Sequence, residues 1–157
     1  MSVSSWPVEH EDHWVLGYRD LVVTRICVDH RLSLLLESDV EVVLEAPAWL
    51  SSGPRTAPGI DATPLDPEQQ AVADALHLFG TRIQSAVAFK SGALRLVFDN
   101  GLHLNCPADP AFEAWQATGP GPWKFVSLPG GNLAVWSGTT QGSNSIAISD
   151  PSSSQAP

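Results

Sequence analysis

Val, Ile and Leu crowd residues 21–28, 32–36 and 40–45, and apolar runs of this length predict three strands. Residues 51–65 are packed with Pro, Gly, Ser and Thr and read as a surface loop. Asp66 opens the clearest helix signal. It suits an N-cap, Pro67 the first helical position and Gln69 a capping box. Val72, Leu76 and Phe79 then share one face at helical spacing, and Gly80 supplies the stop. Strands are expected again at 82–89, 93–98 and 102–106, the last two around Asn100-Gly101, the strongest short hairpin signal. Residues 109–116 read as a short helical turn, and Trp123–Leu128 and Leu133–Trp136 as a C-terminal hairpin.

The pattern repeats. Leu32, Leu34, Leu36, Val40, Val42 and Leu44 fall on Leu94, Leu96, Phe98, Leu102, Leu104 and Cys106, each 62 positions later (Leu32 on Leu94). The preceding strand corresponds with a slip of about two residues. The expected fold is therefore α+β and strand-dominated, with two similar three-stranded antiparallel meanders (21–46 and 82–108) joined by one main helix, plus the C-terminal hairpin. Residues 14–137 form one globular domain, 1–13 an irregular lead-in, and 138–157, rich in Ser, Gly, Thr and Pro, a disordered tail.

The even spacing preserves face parity, so the two hairpins can be compared side by side. Even positions face the core. Outward positions in the first hairpin include Ser33, Leu35, Glu37, Asp39, Glu41, Val43 and Glu45; in the second they include Arg95, Val97, Asp99, His103 and Asn105. The first hairpin thus presents four carboxylates and no cation, and the second is close to neutral.

Composition sharpens this. The 157 residues carry 17 acidic and 8 basic side chains, net −9. Residues 1–66 hold eleven acids against four bases and 67–157 six against four, so most of the net charge lies before residue 67. This balance excludes a protein that grips nucleic acid by its phosphates. It fits a protein partner with a basic surface. No apolar run is long enough to span a membrane, and the polar, acidic N-terminus is no secretory signal, so a cytoplasmic location is expected. Cys27 and Cys106 are read as buried free thiols, Trp115 and Trp136 as core residues, and Trp6, Trp14, Trp49 and Trp123 as candidates for exposure.

Catalytic patterns are thin. There is no nucleophile elbow and no Cys-x-x-Cys, and His10-Glu11-Asp12-His13 lacks zinc-site spacing, so no metal and no cofactor is called. Pro129-Gly130-Gly131 forms a tight turn, with no basic residue following to reach a phosphate.

Phe112-Glu113-Ala114-Trp115 followed by Val126-Ser127-Leu128-Pro129-Gly130-Gly131-Asn132-Leu133-Ala134-Val135-Trp136 resembles the signature of a family of small, largely actinobacterial proteins, a domain of unknown function. The resemblance extends to Val28–Leu34 and Ser91–Phe98 and covers roughly residues 14–137; Asn132 stands where the signature leads one to expect Glu. The same closing pattern is similar, more loosely, to that of bacterial toxin-immunity proteins, and this implies an acidic protein that occludes a basic toxin. The expected role is non-catalytic binding of a basic partner through Leu35, Glu37, Asp39, Glu41, Val43 and Glu45. The alternative is a ligand pocket or enzyme site between the meanders near His103, Glu113 and Trp115. A structural clasp would set Glu113 and Trp115 against Gly130 and Gly131.

Overall fold

The structure, a computed structural model, describes residues 6–136 and 146–148. The lead-in holds two short strands, β1 (Val8–Glu9) and β2 (His13–Val15). A meander follows: β3 (Val23–Val28), β4 (Leu32–Leu36) and β5 (Val40–Leu44). β6 (Ala48–Ser51) and β7 (Ala62–Leu65) pair across a loop. The second meander is β8 (Ile83–Phe89), β9 (Leu94–Phe98) and β10 (His103–Cys106). β11 (Trp115–Thr118), β12 (Lys124–Ser127), β13 (Leu133–Trp136) and β14 (Ile146–Ile148) are the last strands among the described residues. The tail expected to be disordered, 138–157, lies outside the described residues apart from β14.

The strands form two antiparallel seven-stranded sheets, ordered β1-β2-β8-β9-β10-β6-β7 and β14-β13-β12-β11-β5-β4-β3. The two meanders lie in different sheets. The strand after each meander crosses over: β6 pairs with β10 of the second repeat, and β11 pairs with β5 of the first. Each sheet is thus completed by a strand of the other repeat. A bulge interrupts β3–β4 between Val23 and Arg25, and another interrupts β8–β9 between Ile83 and Ser85, the equivalent place. The slip between the repeats sits in the following turn: residues 29–31 join the paired positions Val28 and Leu32, while residues 89–93 join Ala88 and Leu94.

One core lies between the sheets. Leu32, Leu34, Val42 and Leu44 meet Leu94, Leu96, Phe98, Leu104 and Cys106 within a single buried cluster. Aromatic rings bridge the layers, with Trp14 edge-on to Phe125 (centroids 5.2 Å apart) and Tyr18 stacked on Trp123 (5.7 Å). Trp123 is therefore a core residue, whereas Trp136 is only half-buried and lies on an outward face.

The fold is not α+β, because no main helix joins the meanders. Residues 62–65 form β7 and bury Leu65, and Asp66 and Ala71 then exchange two backbone hydrogen bonds of 3.0 Å around a closed turn with Gln70 at φ +59°. What remains before β8 is one 3₁₀ segment, Ala73–Leu78. Its period of three buries Val72, Ala75 and Leu78. Leu76 and Phe79, the residues an α-helix would bury with Val72, are 62% and 61% exposed. Residues 109–116 are likewise not helical: the Asp109 carboxylate accepts the N–H groups of Ala111 (2.8 Å) and Phe112 (3.1 Å) before β11 begins.

Candidate functional site

The six hairpin residues singled out by parity do not form one surface. Glu37 is exposed, and its Oε1 accepts the Val22 N–H at 2.9 Å, so it braces the entry to β3. Asp39 sits at the tip of the β4–β5 turn with φ +60°, beside Ser38 at +64°. Leu35 and Glu41 lie mid-sheet and half-buried, and Val43 is buried. Glu45 lies past the other end of β5, half-buried, where its Oε2 accepts from Gln116 Nε2 at 3.3 Å.

Cross-strand neighbours also change the charge. Arg25, Leu35, Glu41, Thr118, Lys124 and Trp136 stand directly opposite one another along six strands. Glu41 therefore shares its row with two cations from strands that are distant in sequence, and Lys124 lies over the Trp136 ring at 5.7 Å.

A separate group of carboxylates gathers at the Glu45 end. There a cavity of about 420 Å³ is lined by Asp29, His30, Arg31, Glu45, Glu68 and Phe112. Asp29 Oδ1 accepts the Arg31 N–H at 2.7 Å and holds the β3–β4 turn, and Gln70 Nε2 donates to the Asp29 carbonyl at 3.1 Å, bringing the 66–71 turn and Glu68 alongside. The Asp109 turn presents Phe112, a residue 70% exposed that lines the cavity. Three carboxylates face one arginine, which stands 3.8 Å from Asp29. Parity reasoning found only Glu45 of these six. Asp109-Pro110 was the visible cue for a turn that presents Phe112.

His103, Glu113 and Trp115 do not come together. His103 faces outward on β10, where burial and then the neighbouring Arg95 charge hold its imidazole below the ordinary value. Trp115 is buried between the sheets, and Glu113 is exposed on the loop before it. Cys106 is buried, and desolvation followed by the Asp109 charge pushes its thiol up to about 12, which leaves no thiolate for nucleophilic work near neutral pH. Cys27, expected to be buried, is exposed because it points outward from an edge strand; both cysteines are free. No group of three potential metal ligands exists among the described residues.

The Gly-Gly turn is clasped, but by other partners than Glu113. The N–H groups of Gly130 and Gly131 go to the carbonyls of Asp109 (2.9 Å) and Leu128 (3.0 Å). Trp115 Nε1 (2.9 Å) and Ser127 Oγ (2.7 Å) both donate to the Gly92 carbonyl. A Cβ on Gly92 would meet the Gly131 carbonyl oxygen at 2.7 Å, so the two turns touch backbone to backbone. The chain belongs to the family of unknown function DUF6188. That family matches residues 14–137, a span that takes in both repeats, the clasp and the Glu45 cavity. No curated protein and no solved structure matches. No helix of this DUF6188 chain is long and apolar enough to cross a membrane, among the described residues.

Proposed function

We propose that the chain is a non-catalytic, acidic protein-binding module of the cytoplasm, of the immunity type, that receives a basic side chain of its partner in the Glu45 cavity. The observation that carries this reading is the cavity lining, in which Asp29, Glu45 and Glu68 surround a space of about 420 Å³ that exposed Phe112 also lines. A lysine or arginine entering it gains the carboxylates as charge-assisted acceptors and the Phe112 face as a cation–π partner. Glu37 and Asp39, exposed at the other end of the hairpin, then contribute to the longer-range field that speeds encounter.

The test is titration of the full chain with a fluorescent nona-arginine peptide and with the product of any gene adjacent to its own, at rising salt. Wild type binds with a steep loss of affinity as salt increases. Glu45→Lys with Glu68→Lys abolishes binding, and Phe112→Ala weakens it several-fold. Undiminished binding by the double variant overturns the assignment.

A further inference from the structure

We propose that the outward face of the sheet containing β8, β9, β10 and β6 is a docking surface for a second protein partner, one that presents carboxylates among apolar side chains. This goes beyond the reading above, because the face belongs to the opposite sheet from Glu45 and carries the opposite charge. Val15, Val87, Arg95, Asn105 and Trp49 stand directly opposite one another across five strands. Phe89, Val97 and His103 point out beside them. The Arg95 guanidinium lies over the Phe89 ring at 5.5 Å, and Arg55 lies over Trp49 at 4.8 Å. A cavity of about 340 Å³ opens between Arg55, Thr56, Asn105 and Pro107.

The composition is that of an interface centre. No Asp, Glu or Lys occupies an outward position on β2, β8, β9, β10, β6 or β7, in a chain with 17 acidic residues. Trp, Phe and Arg together, with those three residue types missing, mark the buried middle of protein interfaces. The repeat makes the charge specific to this sheet: Ser33, Glu41 and Val43 hold the places of Arg95, His103 and Asn105 on the other one. Arg95 Nε is buried with no acceptor among the described residues, and its guanidinium has no carboxylate partner there. A guanidinium resting on an aromatic ring keeps its terminal Nη pair for a bidentate carboxylate.

The occupant's chemistry follows. Two arginines on a chain of net charge −9 do not hold a polyphosphate, and the valines offer packing rather than base stacking. A second copy docked face to face about a two-fold axis through the middle of this row would set Arg95 against Arg95. A partner surface alternating carboxylates with aliphatic side chains satisfies both the arginines and the exposed Val15 and half-buried Val97.

The full-length, ¹⁵N-labelled chain tests this by titration with the peptide Ac-Glu-Val-Glu-Val-Glu-NH₂ and its lysine counterpart, read at the Trp49 indole and Arg95 Nε–H resonances. The acidic peptide should shift both saturably and the lysine peptide neither. Arg95→Gln and Arg95→Lys should each weaken binding about tenfold, while Glu45→Lys leaves it unchanged. Arg55→Gln, a loop substitution, should also weaken it and serves if changes at Arg95 disturb folding. Silence at Trp49 with millimolar acidic peptide, or equal shifts at Trp49 and Arg95 with the lysine peptide, overturns the proposal. So do concentration-dependent shifts at these resonances without peptide, which would assign the face to a second copy.

Discussion

Val22 and Arg82, equivalent positions of the two repeats, pair with each other antiparallel. The bonds around them are symmetric: Val23 N–H donates to the Thr81 carbonyl at 2.8 Å, and Ile83 N–H to the Leu21 carbonyl at 2.9 Å. A local two-fold axis therefore passes between these residues and relates one meander to the other. With β6 and β11 exchanged across it, neither repeat holds a complete sheet. A fragment ending at residue 79 is expected to stay unfolded alone, and so is one beginning at residue 80. Mixed in equal amounts they should regain a dispersed NMR spectrum. A folded spectrum from either fragment alone would refute the interdependence.

The contact between Gly92 and Gly131 is the tightest backbone approach in the clasp, with Gly92 at φ +99°. Gly92→Ala combines an unfavourable backbone conformation with a clash against backbone atoms, and is expected to cost about 3 kcal/mol. Trp115→Phe keeps most of the ring and removes one of two donors to the Gly92 carbonyl, at about 1–2 kcal/mol. Gly130→Ala meets no atom within 4 Å, so only its φ of +88° opposes it, and it should cost less than Gly92→Ala. Urea unfolding of the three variants checks the order.

Leu76 and Leu78 lie two residues apart and should respond oppositely to truncation. Leu78 is fully buried and Leu76 62% exposed. Leu78→Ala is expected to cost about 2–4 kcal/mol, and Leu76→Ala to stay within about 0.5 kcal/mol. The reverse order in thermal or urea unfolding would restore the α-helical stripe of Val72, Leu76 and Phe79.

That stripe shows where local pattern misleads. Asp66, Pro67 and Gln69 carry genuine helix-start chemistry, yet Leu65 is drawn into the core by pairing with Ala48 on β6, and the turn closes between Asp66 and Ala71. A long-range pairing overrode a local preference. The 62-residue spacing of Leu32 and Leu94 survived because alternation records which face a strand buries, and both residues are buried. The alternation contained nothing about strand exchange, since β6 and β11 satisfy the same pattern in either sheet. Glu41 read as part of a purely acidic surface because Arg25 and Lys124 join its row only through pairing. For the same reason Asp29, Glu68 and Phe112, spread over three turns, gave no joint signal with Glu45.

Cys106 gives stability a dependence on alkaline pH. Burial, and then the Asp109 charge, raises its thiol from the ordinary value near 9.0 to about 12 in the folded chain. Between those values the unfolded state has released the proton and the native state has kept it, so stability falls as pH rises through this window. The contribution is fully present below about pH 9 and is lost progressively toward pH 12, with a slope of up to about 1.4 kcal/mol per pH unit. Buried Tyr18 is also shifted upward and adds a similar loss at the alkaline end. Cys106→Ala should be less stable than wild type at pH 7 through the cavity it leaves, yet lose less stability between pH 9 and 11. Parallel urea curves at the two ends of that range, with identical losses for both proteins, would show that the thiol is not the titrating group. Native protein treated with a thiol reagent at pH 8 should react at exposed Cys27 and spare Cys106, and both should react in denaturant.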